Sequence, residues 1–194
     1  MYGYFKQNIN IQGKGGVVAA PDYNTGPGGS YYFAWERDSA LSMKSYMIIN
    51  DFNLSAVQTD MQAWIKWLLK IQDESDPNGI DIITEPKYNL PEGDVFTGGW
   101  CRPQNDGPGL DSITLILYAN ALTKEGQSSY VKQNLWTGNS SNHGGLIKYH
   151  LDWIVNNYTS TTCDLWEEVR SNDFFWNRLT MRRALLMGAK FAEE

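Results

Sequence analysis

Leu54-Ser55-Ala56-Val57-Gln58-Thr59-Asp60-Met61-Gln62-Ala63-Trp64-Ile65-Lys66-Trp67-Leu68-Leu69-Lys70-Ile71-Gln72 decides the fold class. Val57, Met61, Trp64, Leu68 and Ile71 recur at intervals of four and three, which places them on one face of a 3.6-residue helix. Asp76-Pro77-Asn78-Gly79 then stops the pattern. The same period predicts a helix over Asp38 to Asn50 (Ala40, Met43, Met47) and another over Gly109 to Thr123 (Ile113, Leu117, Ala121). Two more follow, over Gly145 to Asn157 (Leu146, His150, Trp153, with Ile147, Leu151 and Ile154 offset by one) and from Phe174 to the end (Met181, Leu185, Gly188, Ala192). Five helices joined by alternating short and long loops describe an all-α chain of helical hairpins better than any strand-based scheme. No repeat of 20 to 50 residues is evident, which argues against a solenoid of identical units.

Composition narrows the function. At 194 residues and 42% apolar content the chain suits one domain with a full core. A net charge of -6 without a basic stripe excludes ordinary nucleic-acid binding. No apolar run approaches the length of a membrane span, and Met1-Tyr2-Gly3-Tyr4 lacks the regions of a signal peptide. Eight Trp and 11 Tyr are unusual riches, suited to stacking on sugar rings as well as to filling a core. His143 and His150 lack partners at metal-ligand spacing, so no metal and no cofactor are expected. Cys101 and Cys163 are compatible with a bridge or with two free thiols. Sequons at Asn53, Asn139 and Asn157 are compatible with secretion.

Three clusters carry chemistry. Cys163-Asp164-Leu165-Trp166-Glu167-Glu168-Val169 sets two carboxylates behind a tryptophan. Hydrolysis of a glycosidic bond needs a carboxylic acid to protonate the leaving oxygen, with an aromatic wall to pack on the sugar and exclude water. By itself one such carboxylate is ordinarily a solvated surface group. Trp35-Glu36-Arg37-Asp38-Ser39-Ala40 offers a charge pair able to grip hydroxyls. Within the loop expected from Ile80 to Gly109, Phe96 to Gly109 combines Trp, Arg, Gln, Asn and Asp with helix-breaking Gly and Pro.

Together these motifs resemble the glucoamylases of glycoside hydrolase family 15. The family's aromatic run into W-x-R-D-S appears as Tyr31-Tyr32-Phe33-Ala34-Trp35-Glu36-Arg37-Asp38-Ser39, and its E-P-K-[FY]-N as Glu85-Pro86-Lys87-Tyr88-Asn89. T-G-x-W-x-R-P-Q-x-D-G-P runs from Thr97 to Pro108, and D-L-W-E-E-V from Asp164 to Val169; Gly16 to Pro21 also matches. The resemblance implies an (α/α)6 toroid of the six-hairpin type. It implies exo-hydrolysis of α-1,4 bonds, and more slowly α-1,6 bonds, at the non-reducing ends of starch, maltooligosaccharides or related α-glucans, releasing β-glucose with inversion. Carried over motif by motif, Glu167 is the general acid and Glu168 holds the sugar on the leaving-group side. Arg37 and Asp38 bond the terminal hydroxyls, Trp35 and Trp100 wall the pocket, and Arg102, Lys87, Tyr31 and the Leu165-Trp166 backbone complete the shell. Departures at Cys101, Phe96 and Gly109-Leu110-Asp111 bear on substrate preference rather than on the reaction.

An inverting enzyme also needs a second carboxylate, about 6.5 to 9.5 Å from the acid, to activate water. The family's base lies in the later half of the domain, so residues 1–194 read as about the first half of a catalytic domain, its first helix clipped and its C-terminal half absent. The fragment alone is then expected to hydrolyse poorly or not at all, and the full-length protein to be an extracellular, vacuolar or lysosomal monomer. Two other readings stand: a non-catalytic carbohydrate-binding or scaffold protein on the same frame, and an unrelated helical interaction module.

Overall fold

The computed structural model describes residues 1–26, 29–137 and 145–193. His143 and the sequon at Asn139 lie outside the described residues. Helices dominate: α1 (Tyr2–Lys6), α2 (Glu36–Ile49), α3 (Leu54–Gln72), α4 (Gly107–Lys124), α5 (Ser128–Asn134), α6 (Leu146–Asn157) and α7 (Phe175–Glu193). Two short antiparallel pairs sit among them, β1 (Phe33–Trp35) with β2 (Lys87–Asn89) and β3 (Thr162–Cys163) with β4 (Arg170–Ser171).

The α3 stripe behaves as its period predicts. Val57, Met61, Trp64, Leu68 and Ile71 are all fully buried, and each such side chain contributes roughly 1.5–3 kcal/mol by leaving water. Asn53 caps the helix by accepting the N–H of Ser55 at 3.1 Å. Ala40, Met43, Met47, Ile113, Leu146, Met181 and Gly188 are likewise buried, whereas Leu117, Ala121 and Leu185 are only partly covered and Ala192 is exposed.

Helix α4 is the central strut, packed by α2, α6 and α7. From Gly107 to Ile116 every residue is buried, as befits a helix with neighbours on all sides. Two of its buried hydroxyls find backbone partners: Ser112 Oγ donates to the Pro108 carbonyl at 2.8 Å and Thr114 Oγ1 to the Ala40 carbonyl of α2 at 3.1 Å. Gly109 lets α7 approach, since a Cβ there would stand 3.0 Å from the Thr180 carbonyl carbon. The helix begins at Gly107 rather than Gly109 because Pro108 lies in its first turn, where a missing N–H costs nothing.

Other boundaries also differ from expectation. Helix α2 starts at Glu36, directly after β1, and α1 and α5 are too short to show a period. The segment from Ile80 to Gly109 is less irregular than expected: it holds a 3-10 turn at Ile82–Thr84 and strand β2. Pairing of Ala34 with Tyr88 and Trp35 with Lys87 brings two distant motifs side by side, and the Glu36 N–H extends the match by donating to the Pro86 carbonyl at 3.0 Å.

Candidate active site

The acid-bearing segment is a hairpin loop between β3 and β4. Asp164 organises it: its Oδ1 accepts the N–H groups of Glu168 at 2.8 Å and Val169 at 3.0 Å. Burial pushes the Asp164 carboxyl up, but the N–H groups of Val169, Glu168 and Trp166 outweigh that and hold it below the usual carboxylate range. The turn places Glu167 at φ 65°, a left-handed conformation rarely adopted by non-glycine residues and found often at functional sites.

The hairpin is fastened to the loop that precedes α4. Cys101 and Cys163 form a disulfide, which settles the alternative left open by the sequence. Beside it the Cys163 N–H donates to the Pro103 carbonyl at 2.8 Å and the Asn105 N–H to Thr162 Oγ1 at 2.9 Å. The wall carrying Trp100 and the loop carrying Glu167 are thereby one unit.

A cavity of about 410 Å³ results, lined by Ala19, Tyr31, Trp35, Arg37, Asp38, Trp100, Leu165, Trp166 and Glu167. A larger hollow of about 600 Å³, between Asp51–Ser55 and α4, gathers no comparable set of aromatic and charged groups. The structure therefore brings eight of the expected site residues around one space. Arg102, Lys87 and Glu168 do not line it. Glu168 is exposed, while the Arg102 side chain is buried on Glu85, Nε to Oε2 at 2.6 Å.

Lys87 is sunk among four rings, its Nζ 3.6 Å from the centroid of Trp100, 4.2 Å from those of Phe33 and Phe96, and 4.6 Å from that of Trp35. Ring faces attract the cation, which holds the aromatic wall together from behind. Burial pulls the ammonium down to about 8, against the opposing charge of Glu167 and, more weakly, Glu85.

Arg37 was expected to act with its neighbour Asp38. Instead it forks onto Asp106, Nε to Oδ2 at 2.6 Å and Nη2 to Oδ1 at 3.3 Å, and donates to Gln104 Oε1 at 2.6 Å. Asp38 is thereby left free to face the cavity from the first turn of α2. Its carboxyl is pushed up by burial and by the charge of Glu167, with Arg37 opposing. Gln104 is the hinge of the arrangement, since its Nε2 donates to Glu167 Oε1 at 2.8 Å, and Arg37 Nη1 stands 3.9 Å from the same oxygen.

Gln104, Asp106 and Trp176 are contacts of the cavity-lining Arg37 and Glu167, direct or through Asp106, to which the sequence motifs assigned no role. The first two sit in the matched R-P-Q-x-D-G-P run, which was the available signal; Trp176, whose Nε1 donates to Asp106 Oδ2 at 2.7 Å, had none. Trp166 was expected to shelter the acid, yet its side chain is 75% exposed and forms only part of the rim. Enclosure of Glu167 comes from Gln104 and Arg37 instead.

The family model described as glycosyl hydrolases family 15 matches residues 3–194. The chain is 38% identical over 196 residues to a glucoamylase of Blastobotrys adeninivorans, covering 96% of this chain and 30% of that protein. Glucoamylase 1 of Rhizopus oryzae is 36% identical over 192 residues, again covering 96% of this chain and 30% of the relative. Among solved structures, the family 15 glucoamylase of Hypocrea jecorina superposes with a TM-score of 0.84 at 30% identity, covering 99% of this chain and 32% of that one. The Saccharomycopsis fibuligera glucoamylase gives 0.78 at 28% identity, covering 98% and 42%. The chain spans about a third of the length of these relatives. Its helical arrangement is that of the (α/α)6 toroid on which such structures are built.

Proposed function

The chain belongs to glycosyl hydrolase family 15, and on that premise we propose that it serves a glucan 1,4-alpha-glucosidase that releases β-D-glucose from the non-reducing ends of starch and maltooligosaccharides with inversion. The observation that carries this reading is the Glu167 carboxyl, facing a ring-walled cavity with one oxygen already held by Gln104. Oε2 then carries the proton to the glycosidic oxygen as the bond breaks. Arg37, kept rigid by its fork on Asp106, and Asp38 on α2 bond the hydroxyls of the terminal sugar, while Trp35 and Trp100 pack on its face. A cavity that buries the last sugar accepts only a chain end.

The water-activating base is assigned to a carboxylate outside these 194 residues, Asp38 being engaged with substrate hydroxyls. Residues 1–194 then form the earlier part of the catalytic domain. Glu168 and Arg102 act without lining the cavity. The Cys101–Cys163 bridge supports an oxidising compartment, extracellular or vacuolar, in a monomeric protein. Among the described residues no helix is long and apolar enough to cross a membrane.

Glu167→Gln tests the assignment. With the catalytic domain complete, the kcat for maltose should fall about 10²–10⁴-fold, the usual worth of a general acid, with inhibitor binding retained. The anomer released, read by polarimetry, should be β. Unchanged kcat, or α-glucose as first product, would reject the mechanism. Glucose release by residues 1–194 alone at the rate of complete relatives would reject the external base. Sugar binding without turnover in the complete domain would favour the non-catalytic reading.

A further inference from the structure

The N-termini of α2 and α4 are joined by two adjacent rungs, and the proposed chemistry uses only one of them. Arg37 on Asp106 is the first. The second, one residue back on α2 and five residues along α4, is Glu36 against Asp111: Glu36 packs on Gly107, and Asp111 follows Gly107 by one turn on the same face of α4. Both are deeply buried, at 4% and 1% exposure. At Gly107 a Cβ would stand 3.0 Å from Glu36 Cγ.

Among the described residues no ion pair with a cation serves Glu36 or Asp111. Arg37 is committed to Asp106 and Gln104, and Arg102 to Glu85. Gln72 of α3 is the one side-chain donor recorded among the described residues, Nε2 to Glu36 Oε1 at 3.4 Å, while Glu36 Oε2 and both Asp111 oxygens have no fixed partner. Behind Gln72 stands His150 of α6, bonded to its Oε1 at 2.9 Å and kept neutral by burial, which pulls the imidazole down to about 3. From β2 comes Tyr88, a phenol pushed well up by burial and by these carboxyls, and from α7 Trp176, which bonds Asp106. Two buried anions in contact without a counter-ion would repel strongly, whereas a neutral carboxylic acid is a donor and converts the contact into an O–H···O bond.

We propose that Glu36 and Asp111 retain a proton between them at neutral pH, and that the hydrogen bond it makes is a positioning device, setting the spacing of α2 and α4 so that Arg37 meets Glu167. The second half rests on the proposed function. Neither residue touches substrate; both act through Arg37. Each carboxyl alone looks like an ordinary surface acid in the sequence, and the pair exists only where α2 meets α4.

Burial pushes Glu36 up to about 7, with hydrogen bonds from Asp111 and Gln72 opposing, and burial followed by the Glu36 charge pushes Asp111 well above the carboxylate range. Unfolded carboxyls titrate near about 4. Between that value and the folded ones the native protein binds protons that the unfolded chain has released, so the pair's contribution to stability is greatest at low pH and falls as pH rises.

Urea unfolding of the protein, Glu36→Gln and Asp111→Asn from about pH 5 to about pH 9 tests the proton, because an amide donates without titrating. The wild-type folding constant should fall more steeply than either variant's, by up to about tenfold per pH unit for each proton removed. Identical slopes overturn the shared proton. Maltose affinity tests the positioning: Asp111→Asn, which keeps a donor, should retain it, and Asp111→Ala should weaken it about tenfold or more, about 1.4 kcal/mol. Equal affinities overturn it. If Asp111→Ala does not fold, Glu36→Met against Glu36→Gln gives the same comparison. A protonated-carboxyl band in wild-type infrared difference spectra at about pH 7, removed by Glu36→Gln or Asp111→Asn, reads the proton without any variant needing to bind sugar, and its absence overturns the shared proton. Should no form bind maltose at any pH, the proposed function fails while the proton is still judged by slope and spectrum.

Discussion

Removing the Cys101–Cys163 bridge by substituting both residues with alanine should cost about 4 kcal/mol of stability. The two cysteines are 62 residues apart in sequence, so the bond closes a long loop in the unfolded chain. The chain-entropy relation for a loop of that size gives a loss of about 14 cal/mol/K, or about 4 kcal/mol near room temperature. With a urea slope of about 2 kcal/mol per molar, the unfolding midpoint should drop by about 2 M. The site should suffer less than the fold. Cys163 N–H to Pro103, Asn105 N–H to Thr162 and Asn177 Nδ2 to Thr162 Oγ1 at 3.2 Å all remain, so the Glu167 hairpin stays seated while the protein is folded. Maltose affinity, measured well below the new midpoint, should therefore change by less than about threefold, under about 1 kcal/mol. Wild-type protein under strong reductant should match the alanine variant. A loss below about 1 kcal/mol would refute the loop-closure reasoning. Full stability loss accompanied by abolished binding in the folded protein would refute the claim that hydrogen bonds alone can seat the hairpin.

Three further outcomes follow from named contacts. Lys87 titrates in the fold near about 8 because it is buried, below the free value near about 10.5, so between those values the unfolded chain binds the extra proton and stability should rise with pH. Lys87→Met should remove that rise in an unfolding series, and its persistence would place the lysine outside its ring cage. Gly15→Ala should destabilise by about 3 kcal/mol, since φ is +94° there and a Cβ would lie 2.1 Å from the Ala63 carbonyl oxygen; thermal or urea unfolding would show it. Trp176→Phe deletes the indole donor to the buried Asp106 carboxylate and should cost about 2 kcal/mol, measurable by the same unfolding curves.

Legibility in the sequence tracked the range of the interaction. The α3 stripe could be read because its five apolar residues repeat within one helix and all face the core. Helix α5 could not, because seven residues complete too little of a period. The start of α4 was misjudged because Gly-Pro-Gly normally breaks structure, and here it forms a first turn in which Gly109 admits α7. At the site, motif likeness gathered Trp35, Arg37, Trp100 and Glu167, but a motif names residues without naming their partners. The partner of Arg37 is 69 residues away and that of Glu167 is Gln104, 63 residues back.

Those missing partners follow one physical rule. A charged group shut into this structure must find a counter-charge, a donor or a proton, and the choice is made by whichever chain segment is packed beside it. Arg37 has Asp106, Glu85 has Arg102, Lys87 has four ring faces and Glu36 has Asp111. Each solution ties a segment of one motif to another: α2 to α4 twice over, and the β1–β2 pair to the loop before α4. The cavity is thus bounded by side chains already committed to one another, which leaves Glu167 Oε2, Arg37 Nη1 and the Asp38 carboxyl as the groups available to a sugar. On this view a substitution that uncommits a neighbour, such as Trp176→Phe, should disturb sugar binding through Arg37 even though Trp176 does not line the cavity.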